Sequence, residues 1–220
     1  MDKLDRLGWA AGLAFTVYGL RIGIRVNIAE ALHEIMDALP PGWQPAPSPV
    51  VDQLYSVIVG KAGSSPTIRR YHLLFNGPTR LVRSPSLTDV FEHLEADIRL
   101  FVAEEAHERL FVHAGVVGWG GQAIVLPGGS GTGKSTLVAA LVQAGATYYS
   151  DEYAVFDSHG YVHPYPRPLN LRGEAQGRSR RVPVEELGGA RGQRPLPVGL
   201  VIVTEHQANA HWRPRPLSPG

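Results

Sequence analysis

One stretch of the sequence has the residue types and spacing that bind a nucleoside triphosphate. Residues 128–136 read GGSGTGKST and match the pattern G-x-x-x-x-G-K-[ST] in full. The glycines let backbone amides turn toward phosphate oxygens without Cβ clashes, the lysine can reach the β- and γ-phosphates, and the hydroxyl after it can bind Mg²⁺. The stretch predicts a site for ATP and Mg²⁺, with these ATP-binding residues: Gly128, Gly129, Ser130, Gly131, Thr132, Gly133, Lys134, Ser135 and Thr136.

A pair of acidic residues supplies a second part of this chemistry. Asp151 and Glu152 follow Lys134 at a separation that fits one helix and one strand, which would return them to the loop. A carboxylate there can bind Mg²⁺ or accept the proton of the hydroxyl group that takes the phosphate. Together with Ser135, the two acids are the predicted metal ligands. Without the loop upstream, simple solvation would explain an acidic pair at a strand end.

Three further side chains are candidates for the same site. His113 precedes the strand that leads into the loop, although a histidine beside alanine and glycine is, taken alone, more typical of a packed structural residue. Arg167 and Arg172 carry planar guanidinium groups that suit phosphate oxygens, and we consider them candidate substrate or phosphate ligands. The competing interpretation is that this arginine-rich stretch is a solvated loop.

The elements around the loop come in the order that such a site requires. Residues 122–126 form an apolar run typical of a buried strand, and residues 135–144 have the spacing of a helix that begins at the end of the loop. Residues 110–112 and 115–118 predict strand segments that join 122–126 through a tight turn, so the loop would follow a hairpin. Residues 146–150 predict the strand that ends at the acidic pair.

The first half of the chain predicts a separate α+β region. Its predicted strands and helices are strands at 20–28, 53–59, 71–75 and 79–82 and helices at 29–39 and 86–107. The sequence thus predicts an α/β (mixed α+β) protein with an N-terminal α+β region of unknown role, residues 1–107. Residues 108–220 would form a P-loop catalytic core, in which the apolar run 198–204 is a central strand.

Composition restricts the partners. The 220 residues include 21 basic and 20 acidic side chains, so the net charge of +1 predicts binding to neither nucleic acid nor membrane. The apolar residues 8–20 are too few to span a bilayer, which needs about 20. Asp2 and Asp5 argue against a signal peptide, and the absence of cysteine fits a reducing compartment, so we expect a cytoplasmic protein. A homo-oligomer is an open alternative.

The order of these motifs resembles the catalytic core of HPr kinase/phosphorylase and its relatives, among them small kinases associated with peptide-maturation genes. The resemblance lies in HAG at 113–115, GGSGTGKS at 128–135, AGA at 144–146 and YYSDE at 148–152. It covers roughly residues 108–172. It implies a P-loop kinase core of the HPr kinase/phosphoenolpyruvate carboxykinase type, with an antiparallel hairpin before the P-loop.

The resemblance also implies roles for individual residues. Lys134 and Ser135 would handle the phosphates and Mg²⁺, Asp151 would be the base that accepts the serine proton, and Glu152 would help to hold the metal. His113 would lie against the reacting phosphate or Asp151. Asp151, His113 and Lys134 are therefore the predicted catalytic residues.

The chain departs from the family pattern in three ways. Glu152 stands where the classical enzymes have aspartate, and residues 1–107 do not resemble their N-terminal domain, so the carrier-protein substrate does not transfer. The chain ends at Gly220, where relatives usually continue through further helices, so we expect a truncated or reduced core.

These observations predict a Mg²⁺/ATP-dependent kinase that phosphorylates a hydroxyl, a serine of a protein or peptide. One alternative is a small-molecule kinase that acts on free serine or another metabolite. The other is a regulatory module that binds a nucleotide without catalysis.

Overall fold

The computed structural model describes residues 3–60, 70–129, 131–172, 179–204 and 214–217. The chain divides into two compact units, Met1–Phe111 and Val112–Gly220, which we call the first and second unit.

The first unit is one six-stranded sheet with two helices. Its elements are β1 (Ala11–Val17), β2 (Leu20–Val26), α1 (Ala31–Asp37), β3 (Gln44–Pro45), β4 (Gln53–Ile58), β5 (His72–Asn76), β6 (Thr79–Ser84) and α2 (Leu87–Glu105). The strand order is β3-β1-β2-β4-β5-β6, and β2 and β4 are the parallel pair. The other pairs are antiparallel.

Local sequence signals explain this unit. In β2, the alternation of apolar and polar residues places Ile22 and Ile24 in the core, at 0% and 1% exposure. The α2 helix begins after Ser86, whose hydroxyl accepts a hydrogen bond from the Asp89 amide. Its apolar face, which includes Val90, packs into the same core.

The second unit contains eight strands and one α-helix among its described residues. They are β7 (Leu110–Trp119), within which the division between units falls, β8 (Gln122–Pro127), α3 (Lys134–Gln143), β9 (Thr147–Ser150), β10 (Tyr153–Phe156), β11 (Tyr161–His163), β12 (Leu169–Arg172), β13 (Ser179–Val182) and β14 (Leu196–Val201). The predicted hairpin before the loop is present, since β7 and β8 pair antiparallel.

Five of these strands close into a β-barrel. The pairing runs β10-β11-β14-β8-β7, and a further pairing of β10 with β7 completes the ring, while β9 and the β12-β13 hairpin lie outside it. Small alternate residues from the ring strands, including Ala114, Ala123 and Ala154, pack into a single buried cluster. Small side chains fit the narrow interior that so few strands enclose.

The predicted fold class is wrong. The sequence predicted an α/β (mixed α+β) protein with a P-loop kinase core of the HPr kinase/phosphoenolpyruvate carboxykinase type. Strands instead make up 39% of the described residues and helices 23%, and the second unit contains the closed barrel. The order of strand, loop and helix does not by itself specify a P-loop kinase core. Here β10 pairs with β7 and closes the sheet on itself, and in the described part of this unit α3 is the one α-helix.

The α3 helix packs against the outside of the barrel at β7. Val138 of α3 is fully buried and shares a cluster with Val117 and Leu126. The approach is close at Gly115, where an added Cβ would stand 2.7 Å from Val138 Cγ2. The glycine in the sequence HAG therefore lets the helix lie directly on the strand.

Candidate functional site

The glycine-rich loop, residues 128–133, joins β8 to α3, and local geometry explains its glycines. Gly131 and Gly133 have φ values of 90° and 87°, in the left-handed region that favours glycine. A Cβ on Gly128 would stand 2.8 Å from Thr132 Oγ1. Ser130, which the sequence predicted to bind ATP, lies outside the described residues. The loop is thus a tight turn in which side chains are excluded at several positions.

The start of α3 presents backbone amides that the helix itself does not use. Gly133 is the N-cap residue and has no side chain that could cap the helix. The amide of Leu137 makes the first intrahelical bond, to the carbonyl oxygen of Gly133, 2.9 Å away. The amides of Lys134, Ser135 and Thr136 therefore have no acceptor within the helix. Free amides and the positive end of the helix dipole suit a phosphate group.

Lys134 is the cation at the centre of this arrangement, and only 6% of it is exposed. Its ammonium group donates to the carbonyl oxygens of Gly128 and Gly129, the latter at 2.8 Å, and contacts His113 Nε2 at 3.3 Å. Since an ammonium group only donates, Nε2 must accept and the ring hydrogen must be on Nδ1. All three Nζ hydrogens are engaged, so a phosphate oxygen would have to replace one of these acceptors.

The sheet pairing explains why His113, the loop and the acidic pair meet. Both β8 and β9 pair antiparallel with β7, through Ala114 opposite Pro127 and Val116 opposite Ser150. The carboxyl ends of β8 and β9 therefore lie at the same end of the sheet as the amino-terminal half of β7. The loop follows β8, Asp151 follows β9, and His113 lies on β7.

Asp151 is buried, with 7% exposure, and its carboxylate has polar partners on several sides. The Asn170 amide donates to Oδ2 at 3.0 Å, and the Tyr148 hydroxyl lies 3.2 Å from Oδ1. Burial raises the pKa of Asp151, and hydrogen bonds from Asn170, Ser135 and Tyr148 oppose that rise.

The turn that carries the two acids is fixed by Ser150. This residue is 1% exposed. Its Oγ accepts hydrogen bonds from the amide of Glu152 at 3.1 Å and from the amide of Tyr153 at 3.0 Å. Burial lowers the pKa of Lys134, while the charges of Glu152 and Asp151 raise it. Both carboxylates therefore lie within electrostatic reach of the ammonium group.

The donor set fits a metal ion that is shared with phosphates. Among the residues that the structure describes, no group of three or more His, Cys, Asp or Glu side chains could hold a metal by itself. The predicted ligands are one hydroxyl and two carboxylates: Ser135, Asp151 and Glu152. Mg²⁺ commonly binds one or two carboxylates and takes its other oxygens from phosphates and water. These residues suit Mg²⁺ together with a nucleotide.

The two predicted arginines differ in what is known of them. The carbonyl oxygen of Arg167 accepts a hydrogen bond from the Tyr148 hydroxyl at 2.6 Å, so the backbone of Arg167 lies beside the site. Arg172 ends β12, and its side chain lies outside the described part of the chain. Their phosphate contacts stay predictions.

Three residues near the site had no role assigned from the sequence. They are Tyr148, Ser150 and Thr204, whose hydroxyl lies 3.4 Å from the carbonyl oxygen of Thr132 in the loop. The position of Tyr148 and Ser150 just before Asp151 was a usable signal. Thr204 is brought to the loop because β14 runs parallel to β8, which local sequence does not reveal.

In the described residues, no helix has both the length and the apolar character needed to cross a membrane.

Comparisons with known proteins identify no family for this chain. A scan against protein-family models found no match, and a search of curated proteins found no similar protein.

Proposed function

We propose that the second unit binds Mg²⁺ and ATP at the glycine-rich loop and transfers the γ-phosphate to a hydroxyl group, a serine of a protein or peptide. One observation carries the proposal. The sheet pairing brings the end of β9, which carries the buried carboxylate of Asp151, to the same end of the sheet as the glycine-rich loop and the buried side chain of Lys134. A loop suited to phosphate and a shielded acid therefore lie close together.

The proposed chemistry assigns a task to each group. The amides at the start of α3 and the ammonium group of Lys134 neutralise the phosphate oxygens. The acceptor oxygen attacks the γ-phosphorus, the bond to the oxygen that bridges the β- and γ-phosphates breaks, and ADP leaves. Asp151 accepts the proton of the acceptor hydroxyl. His113, whose Nε2 lies 3.3 Å from Lys134 Nζ, helps to hold the ammonium group in place.

Mg²⁺ would offset the negative charge of the phosphates, held by Ser135, Asp151 and Glu152. The raised pKa of Asp151 suits a group that gains a proton, because burial disfavours its charged form. The motif order that resembles HPr kinase-like enzymes supports the same chemistry.

The partners follow from this chemistry. The acceptor is a protein or peptide, and the near-neutral net charge gives no reason to expect binding to nucleic acid or membrane. A cytoplasmic location is part of the proposal because ATP is the phosphate donor.

A labelling experiment tests the proposal. The full chain is incubated with Mg²⁺, γ-labelled ATP and one of three acceptors: a degenerate serine-containing peptide library, free serine, or water alone. We expect label on the peptides and a rate lower by about 10²- to 10⁴-fold in Asp151→Asn, which keeps the shape but lacks the basic oxygen. Glu108→Gln, a change in the first unit, is the control and should transfer label at the wild-type rate.

Other results would redirect the assignment. Label on free serine in preference to peptides would identify a small-molecule kinase. ATP binding without transfer to any of the acceptors would identify a regulatory nucleotide-binding module. Equal transfer by wild type and Asp151→Asn would remove Asp151 as the base.

A further inference from the structure

Tyr148 links Asp151 to the segment that leads into β12. The side chain is 1% exposed. Its hydroxyl lies 2.6 Å from the carbonyl oxygen of Arg167 and 3.2 Å from Asp151 Oδ1. Both neighbours are acceptors when Asp151 is charged, so the hydroxyl shares its single hydrogen between them. A buried hydroxyl in this position ties a side-chain oxygen of one segment to the backbone of another.

The same segment also holds the second oxygen of Asp151. The Asn170 amide donates to Oδ2 at 3.0 Å. Residues 167–170 thus contact Oδ2 directly and Oδ1 through the Tyr148 hydroxyl. The last torsion of an aspartate side chain is broad and roughly two-fold, so a carboxylate without such contacts can rotate. With both oxygens engaged, the plane of the Asp151 carboxylate is fixed.

We propose that Tyr148 is a positioning residue for Asp151: its hydroxyl sets the orientation in which the carboxylate faces the glycine-rich loop. This inference rests on the proposed function, because it concerns the acid that would accept the proton. The Tyr148 hydroxyl is buried and lies against Asp151 and the Arg167 carbonyl oxygen. It acts through Asp151, as partners of a metal-binding or catalytic carboxylate commonly do.

The neighbouring tyrosine provides a matched control. Tyr149 is also buried, at 4% exposure, and its hydroxyl donates to the carbonyl oxygen of Arg194 at 2.7 Å. It packs into the cluster of the barrel strands, whereas Tyr148 packs into the cluster with α3. Phenylalanine at either position removes one buried hydroxyl that is bonded to a backbone carbonyl. Asp151 loses a partner in Tyr148→Phe alone.

The test compares Tyr148→Phe and Tyr149→Phe in the full chain. The first readout is single-turnover phosphate transfer to the serine peptide library, and the second is the Mg²⁺ concentration that half-saturates binding of a non-hydrolysable ATP analogue. We expect Tyr148→Phe to lower the transfer rate by about 10- to 100-fold and to raise the half-saturating Mg²⁺ concentration. The KM for ATP should change little, since the loop is intact. Tyr149→Phe should match the wild type in the transfer rate, the half-saturating Mg²⁺ concentration and the KM for ATP.

A double variant separates positioning from a general structural effect. If Tyr148 acts through Asp151, Tyr148→Phe should cause no further loss in the Asp151→Asn background. An equal loss in both backgrounds would overturn the inference, and so would equal transfer rates for the two tyrosine variants. Absence of transfer by the wild type refutes the proposed function and the inference with it. Transfer by the wild type with indistinguishable tyrosine variants refutes only the role of Tyr148.

Discussion

Replacing Gly115 with alanine tests how closely α3 lies against the strand beneath it. The added Cβ would stand 2.7 Å from Val138 Cγ2, whereas ordinary contact begins at 3.4 Å. Val138 is fully buried and β-branched, so its methyl group cannot turn away freely. Relief requires a shift of the helix that carries the lysine and the serine of the site.

The expected cost follows from two opposing effects. Overpacking of a buried contact costs about 1–3 kcal/mol, and alanine in a strand regains about 0.5–1 kcal/mol relative to glycine. From the middle of each range, we expect Gly115→Ala to lose about 1 kcal/mol of stability and to lower the melting temperature by a few degrees. Gly8 is the control, because nothing lies within 4 Å of its added Cβ and Gly8→Ala should melt like wild type.

A second substitution tests the cause of that loss. Val138→Ala removes the methyl groups that the new Cβ would meet and by itself should cost about 2 kcal/mol. Because each change accommodates the other, the double variant should lose less than the sum of the single losses. Differential scanning calorimetry measures the stability of the wild type, the two single variants and the double variant. A Gly115→Ala protein as stable as wild type, or strictly additive losses, would refute the close packing described here.

Two further predictions concern charged groups. Lys134→Met keeps most of the buried side-chain volume but removes the ammonium group. We therefore expect the affinity for ATP, measured by titration calorimetry, to fall about 10- to 100-fold. An unchanged affinity would contradict the role of the ammonium group. The hydrogen bond from His163 lowers the pKa of Asp157 to about 2 from 3.8. That contribution to stability is present above pH 4 and is lost as the pH falls toward 2, because the unfolded chain takes up the proton first. The difference in melting temperature between wild type and Asp157→Asn should shrink from pH 5 to pH 2.5, and a constant difference would contradict the assignment.

Local signals were enough to predict most single elements. The alternation of residues 20–28 predicted a strand, observed as β2, and the apolar periodicity of residues 86–107 predicted the helix observed as α2. Both signals depend on one buried face, which the sequence shows directly. The apolar run 198–204 also contains a strand, β14, paired on both sides. Two of its residues, Leu200 and Val201, are nevertheless about half exposed, at 50% and 52%.

The fold of the second unit could not be predicted in the same way. Closure of the barrel depends on β10 and β11, which are four and three residues long and too short to show a period. β10 pairs with β7 and β11 with β14, and such long-range pairings are not visible in the local sequence. A loop followed by a helix is a local feature that a barrel can carry as well as a layered sheet.

Loop chemistry and strand-end spacing are visible in the sequence, so Lys134 and Asp151 could be proposed from it, and their roles stay predictions. The contacts of Tyr148 were not visible there, since its hydroxyl meets the carbonyl oxygen of Arg167, 19 residues away. Such partners depend on how β9 and the segment before β12 come together.

A crystal structure of the full chain with Mg²⁺ and a non-hydrolysable ATP analogue would show whether the loop and Asp151 form one site. We expect phosphates bound at the first amides of α3, with the ammonium group of Lys134 moved from the loop carbonyls to phosphate oxygens. The Asp151 carboxylate should face the terminal phosphorus. An analogue bound elsewhere, or an Asp151 side chain separated from the terminal phosphate by protein, would contradict this expectation.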